Sequence, residues 1–457
     1  MTIRTRKTIF YILIVFFFVI GSILLLYSNG WQFDFKNFKF YQSGAIEIGG
    51  QPENSLIKIK ENNYKINSQS RKNGILIPGL FPQTYTVTIE KDGYNSWIKN
   101  LVVKPSLITK TYPVILIPKN LNNIKPFMQD IKSFWAGPKY NVWQNQDEKL
   151  IINGQNSSGS VFIDWFYDDA TALTSDKAGK NYFAIQATQN NLATNLSLLF
   201  NNLKDKKSII DTDSYPKIQP YPFDDNKAII ISKNKLYILD FLRFDLEIIP
   251  QNPAWFAAVK NNNLFLIRKS GFFSYNLTLK NEKLITDAIT SMPSAIKVST
   301  DGGNAALVTN GKLIIINIST GLTKEISASV KQFSFSPDSE KLAYVENNGR
   351  IKVLFLKDQL DYSNKKAGDT ADLSAEVLAQ AGLSTAIPVE TDLISWHKNS
   401  AYLFIKYPDK LSLLEIDDRT PVNEQFINDK IDNYSYDLTT NLFYYLESNN
   451  LYKLPLE

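Results

Sequence analysis

The chain has no cysteine and only one histidine among its 457 residues. Without thiols there can be no disulfide, no thiolate metal site and no cysteine nucleophile. The absence is compatible with either side of a membrane. A single histidine, His397, cannot supply the two-histidine helical motif of a zinc peptidase. Neither G-x-x-x-x-G-K-[ST] nor G-x-G-x-x-G occurs, so phosphate cradling has no support, and the G-x-S-x-G elbow of a serine hydrolase is missing too. Excess charge of one sign is also lacking. The net charge is +5, of which Arg4, Arg6 and Lys7 account for +3. The remaining body is nearly neutral and offers no basic surface for nucleic acid.

What the chain does have is apolar and periodic. Residues 8–27, TIFYILIVFFFVIGSILLLY, run for 20 positions without a charge. As a helix they span about 30 Å, the thickness of a bilayer's hydrocarbon core. The basic residues before the run place the N-terminus in the cytoplasm and the rest of the chain outside it. The run is longer than the apolar region of a cleaved signal and leaves through LLYSNG, with no A-x-A-like site, so a retained single-pass anchor is expected. Trp31, Phe33, Phe35, Phe38 and Phe40 follow, suiting a juxtamembrane strand that packs on the next domain or rests at the lipid interface.

From residue 119 onward one phrase recurs. Residues 333–345, FSFSPDSEKLAYV, alternate apolar and polar, turn at Ser336-Pro337-Asp338-Ser339, and alternate again; Asn347-Asn348-Gly349 then leads into a third strand. Related phrases occupy 221–239 (with Lys233-Asn234 at its second turn), 255–275 (with Trp255 at its start and Asn261 at a turn), 296–318, 393–414 and 434–454. Fainter ones occupy 141–163 and 175–210. Turn positions near 224, 260, 301, 338, 398 and 437 lie 36, 41, 37, 60 and 39 residues apart. Spacings of this order mark propeller blades. The one long interval implies an insertion at about 358–390, carrying a short helix that Asp372 or Ser374 would cap and Gly382 would end.

Residues 44–118 form a separate strand-rich block. Segments 45–48, 56–59, 75–77, 84–90 and 101–103 read as strands, with a last strand at 114–117 ending at Pro118. Gly44-Ala45-Ile46-Glu47-Ile48, the Pro52-Glu53 turn and residues 80–105 (LFPQTYTVTIEKDGYNSWIKNLVVKP, with its Gly93-Tyr94 pair) resemble the PEGA domain, a small extracytoplasmic β-module. Asn54 and Ser55 stand where that family carries Gly-Ala. The remainder, chiefly through Ser336-Pro337-Asp338 and Leu342-Ala343-Tyr344, is similar to TolB-type and WD-repeat-like propellers, without Trp-Asp blade endings.

The fold expected is all-β apart from one N-terminal transmembrane helix: a small PEGA-like β-sandwich followed by a β-propeller of 7–8 blades. Its parts are a basic tail (1–7), the helix (8–27), the aromatic segment (28–43), the module (44–118) and the propeller (119–457). That order resembles a bacterial envelope protein. It implies a non-enzymatic extracytoplasmic component that binds or scaffolds protein or glycan partners, with the membrane as a further partner and no cofactor. The alternative is an envelope polysaccharide hydrolase or lyase using carboxylates that converge in the propeller channel. No catalytic, cofactor or metal residue is assigned. His397 occupies the place of Pro337 in its phrase and reads as a turn residue. Asp168-Asp169, Asp211-x-Asp213, Asp224-Asp225 and Asp417-Asp418 lack the spacing of a calcium loop and read as turn aspartates.

Overall fold

The computed structural model describes residues 3–34, 38–62, 64–67, 74–121, 124–188, 190–209, 216–232, 235–249, 256–260, 262–289, 291–360, 362, 364–373, 393–408, 410–429 and 431–456. Phe35, Asp211, Asp213, Lys233-Asn234, Trp255, Asn261, Ser374 and Gly382 lie outside the described residues.

The N-terminal helix spans Ile3–Ser28. Its segment Thr5–Ser28 has a mean hydropathy of 3.0 and none of its residues is buried against the rest of the chain. By length and composition it fits a membrane anchor or a signal sequence. Two residues later the chain turns into a hairpin, Trp31–Asp34 paired with Lys39–Gln42, so the aromatic segment is a strand pair of its own.

Residues 44–110 fold as two sheets around one core. One sheet orders Ile75–Leu80, Gly44–Ile48 and Ile108–Lys110, the last pair parallel; the other orders Tyr64–Asn67, Leu56–Ile59, Thr84–Glu90 and Trp97–Val102. Alternation decides which side chains enter. Tyr85, Val87 and Ile89 are buried and their neighbours are not, and Ile46, Ile57, Trp97 and Leu101 meet them.

The expected strand at 114–117 does not form. The segment is extended but joins no ladder, because both of its faces are taken. Val114 and Leu116 enter the module core, whereas Tyr112, Ile115 and Ile117 enter the core of the propeller. Its backbone bonds run mostly to side chains across that boundary: Ile117 N–H donates to Gln425 Oε1 at 2.7 Å, and Ile115 N–H to the Tyr402 hydroxyl at 3.3 Å.

Beyond residue 130, eight antiparallel sheets follow one another in chain order among the described residues, seven four-stranded and the last three-stranded. They are blade 1 (131–156), blade 2 (161–195), blade 3 (217–249), blade 4 (256–286), blade 5 (295–327), blade 6 (330–372), blade 7 (393–428) and blade 8 (433–455). First strands pack side by side between blades 2 and 3, 4 and 5, 5 and 6, and 6 and 7, and that of blade 1 packs on blade 8, which closes the ring. Closure is reinforced from upstream: Phe127 and Met128 N–H donate to Leu451 O at 2.7 and 3.2 Å, and Leu451 N–H returns a bond to Met128 O at 2.9 Å. This is a β-propeller. Apolar clusters fill the spaces between blades, for example Phe265, Ile267 and Ile296 between blades 4 and 5, and Ile131, Phe134 and Tyr444 between blades 1 and 8.

Two details depart from the sequence reading. The stretch expected as an insertion supplies the outer strand of blade 6, Thr370–Asp372, so Asp372 is a strand residue and not a helix cap. Blade 2 carries an unforeseen helix, Leu196–Lys206, capped by the Asn195 side chain, with Leu196, Phe200 and Leu203 buried.

Candidate functional site

The turn after each first strand is the motif from which the site is built. In blade 6, Ser336 Oγ donates to Asp338 Oδ1 at 2.5 Å and accepts from Lys341 N–H at 2.9 Å, while Asp338 Oδ1 accepts from Glu340 N–H at 2.9 Å. These bonds close the turn on itself, with Ser339 at φ +61°. The same turn reaches its neighbours. Asp301 N–H of blade 5 donates to Ser339 Oγ at 3.0 Å, and Asp338 N–H donates to Ser400 Oγ of blade 7 at 3.2 Å. Blade 7 continues the belt to blade 8, where Lys398 N–H donates to the Tyr436 hydroxyl at 3.3 Å.

His397 belongs to this belt. Its Nε2 lies 2.9 Å from Asn441 Oδ1, and its Nδ1 accepts from Asn399 N–H at 3.3 Å, so the neutral ring with the proton on Nε2 satisfies both nitrogens. Its ring stacks on Tyr436 with centroids 5.2 Å apart. Burial pushes its pKa down to about 4 against the two hydrogen bonds. The histidine joins turns of blades 7 and 8.

Inside the belt, where the first strands of blades 5 to 8 end, lies an open cavity of about 380 Å³. Phe335, Pro337, Trp396, Tyr434, Tyr436 and Leu438 supply its apolar lining, and Thr300, Ser334, Ser395 and Ser435 its hydroxyls; none of the lining residues is ionisable at neutral pH. The rings are fixed by their polar edges. Trp396 Nε1 donates to Ser334 O at 2.9 Å, the Tyr434 and Ser395 hydroxyls lie 2.8 Å apart, and the Tyr436 hydroxyl donates to Asn441 Oδ1 at 2.6 Å.

The first strands of blades 1 to 6 each carry one ionisable residue: Lys132, Asp164, Lys217, Lys260, Lys297 and Lys331. Asp164 of blade 2 sits at a bulge, where desolvation by the surrounding protein, aided by the charge of Asp169, raises its pKa. Lys297 of blade 5 is lowered by burial and lies over the Phe333 ring. A smaller cavity of about 200 Å³ between blades 1 and 2 is charged, but its Glu148 is already held by Lys132 and Lys177 at 2.5 and 2.7 Å.

Two of the aspartate pairs meet between blades 2 and 3: Asp225 hydrogen-bonds the Asp168 backbone, and burial with the charge of Asp168 raises the Asp225 pKa. Asp168 caps its own turn through Ala170 and Thr171, and Asp224 pairs with Lys227. Among the described residues no three carboxylates or histidines converge as a metal set.

Asp417 does something the sequence reading missed. With Lys99, Glu415 and Arg419 it forms an ionic cluster between module and blade 7, in which the Lys99, Glu415 and Asp417 side chains are fully enclosed. Lys99 Nζ lies 2.7 Å from Glu415 Oε2 and 4.0 Å from Asp417 Oδ2, and Arg419 reaches Asp417 at 2.6 Å. Trp97 Nε1 and Asn423 Nδ2 also donate to Glu415 Oε2, at 3.2 and 2.8 Å. Burial works against the Asp417 carboxylate, but Lys99 and Arg419 outweigh it and hold the pKa below the usual value. Burial and the charge of Asp417 hold that of Glu415 above it. The signal was present in outline: Lys99 falls on the inward side of the alternation Trp97, Lys99, Leu101.

No protein-family model matches the chain, and no curated protein matches it in sequence. Solved structures similar to it include Saccharomyces cerevisiae Sqt1, at 11% identity and a TM-score of 0.45 over 73% of this chain and 97% of that one. The Swd1 β-propeller domain of Myceliophteria thermophila is similar at 9% identity and a TM-score of 0.39 over 66% and 98%. The tricorn protease is similar at 10% identity and a TM-score of 0.41 over 93% and 54%. The closed ring of sheets, not these distant likenesses, defines the fold.

Proposed function

We propose that the chain is a single-pass membrane protein that holds a PEGA-like module and an eight-bladed propeller outside the cytoplasm, as a binding or scaffolding component of a bacterial envelope. The observation that carries the binding role is the cavity inside blades 5 to 8. Rings locked by hydrogen bonds, with hydroxyls between them, recognise a protein or glycan surface at small entropic cost. The test is comparative capture. Full-length protein in nanodiscs is incubated with envelope extract beside Tyr436→Ala and Phe335→Ala variants. The reading expects a protein or glycan species enriched by the parent and lost with both variants; equal recovery from all three sinks it.

A second reading, polysaccharide hydrolysis or elimination, has one observation in its favour, the raised Asp164 on a first strand. Turnover of an envelope polysaccharide that disappears in Asp164→Asn would support it, and turnover indifferent to that change would remove it.

A further inference from the structure

The helix at the N-terminus ends at Ser28, and the hairpin that follows is tied to the module without a gap. Ser43 N–H and Oγ both donate to Gly30 O, at 2.8 and 2.9 Å, and Ser106 N–H donates to Ser43 O at 3.1 Å. Ala45 N–H donates to Leu107 O at 3.1 Å. The Tyr41 ring of the hairpin stacks on Phe81 of the module with centroids 3.9 Å apart. The end of the helix, the hairpin and the 102–108 corner of the module are therefore one continuous piece.

That piece exposes apolar side chains together: Phe38 at 79%, Phe40 at 61%, Leu107 at 55%, Val102 at 53%, Ile108 at 48% and Phe81 at 38%. Lys39 and Lys104 are exposed among them. Scattered single hydrophobics are ordinary on a protein surface; six of them carried by one hydrogen-bonded piece, with two exposed lysines, are more than that. Its position follows from the helix. Residues Thr5–Ser28 as a helix are about 36 Å long, enough to put Ser28 at the edge of a bilayer core of about 30 Å.

We propose that this corner of the module lies on the lipid surface of the membrane that the helix spans, with the rings and aliphatic chains at the acyl boundary and Lys39 and Lys104 among anionic headgroups. The proposal rests on the helix being a retained anchor. It has a geometric consequence. Strand Trp97–Val102 carries the propeller contact at its start and Val102 at its end, about 17 Å apart at 3.3 Å per residue, so lipid contact at one end fixes how the propeller stands above the bilayer.

The missing cysteines make the test clean. Single cysteines at Leu107, Val15 and Leu279 (the last on blade 4, 70% exposed) carry a spin label in the full-length protein. The protein is placed in vesicles of phosphatidylcholine with a minor fraction of phosphatidylglycerol, and collision rates with oxygen and an aqueous nickel chelate are compared. The expected result is a deep label at Val15, a boundary label at Leu107 and an aqueous label at Leu279. A deep Val15 label with Leu107 as aqueous as Leu279 overturns the lipid contact and leaves the anchor standing. Dipolar broadening between Leu107 labels on two molecules assigns the patch to self-association and overturns it as well. A Val15 label outside the bilayer removes the anchor and the inference with it.

Discussion

The two ends of strand Trp97–Val102 meet opposite environments. At Trp97 and Lys99 the strand enters a buried junction in which charges and amides pair across to blade 7. At Val102 it ends in an exposed apolar surface that meets no propeller strand among the described residues. The first junction is specific and costly to break, since buried ions need their own partners. The second is non-directional and suits a fluid surface. One edge strand thus joins a precise contact to a permissive one.

Breaking the charged end has the largest expected effect. Lys99→Ala leaves Glu415 buried without its counter-ion and is expected to cost about 3–5 kcal/mol. Lys99→Met with Glu415→Leu replaces the pair by apolar volume and is expected to recover most of that loss. Urea unfolding followed by tryptophan fluorescence reads both; a single substitution costing no more than the double would show that the pair does not lock the junction.

Acid tests a different buried group. The folded state keeps His397 neutral down to about pH 4, whereas the unfolded chain takes up a proton near 6.5. Stability from this residue is complete above pH 6.5 and is lost as pH falls toward 4, amounting to about 3 kcal/mol. His397→Gln should flatten that part of the stability–pH curve. An unchanged slope would place the titration elsewhere.

Smaller effects come from the belt of turns. Ser339→Ala or Ser400→Ala each removes one hydrogen bond between blades and is expected to cost about 1 kcal/mol, read in the same unfolding assay. Smallest is the apolar corner: Leu107→Ser, at an exposed site, should change stability in detergent by less than about 0.5 kcal/mol. A large loss there would mean that the corner is packed and not displayed.

The blades were legible because their grammar is local. Alternation and Asp, Asn or Gly turns recur at near-constant spacing, and the six clearer units each match one sheet. The two fainter ones are out of frame, 141–163 starting after the first strand of blade 1 and running into blade 2, and 175–210 starting inside blade 2 and running through its helix. The helix Leu196–Lys206 was written in its sequence, with apolar residues at 196, 199, 200 and 203, but the blade rhythm concealed it. The 114–117 segment was misread for the same reason: its alternation is real, but two cores divide it between them. The site was not legible. Phe335, Trp396 and Tyr436 come from three blades, and Lys99 lies 318 residues from the carbonyl of Asp417 that it bonds. No local pattern links positions that only ring closure and domain docking bring together.

The most direct test of a propeller displayed beyond the membrane is labelling of Leu279→Cys in the full chain with a membrane-impermeant maleimide, against a background free of native thiols. Labelling of intact spheroplasts as complete as that of lysed ones is the expected result. Labelling that appears only after lysis would put the propeller in the cytoplasm and contradict the account.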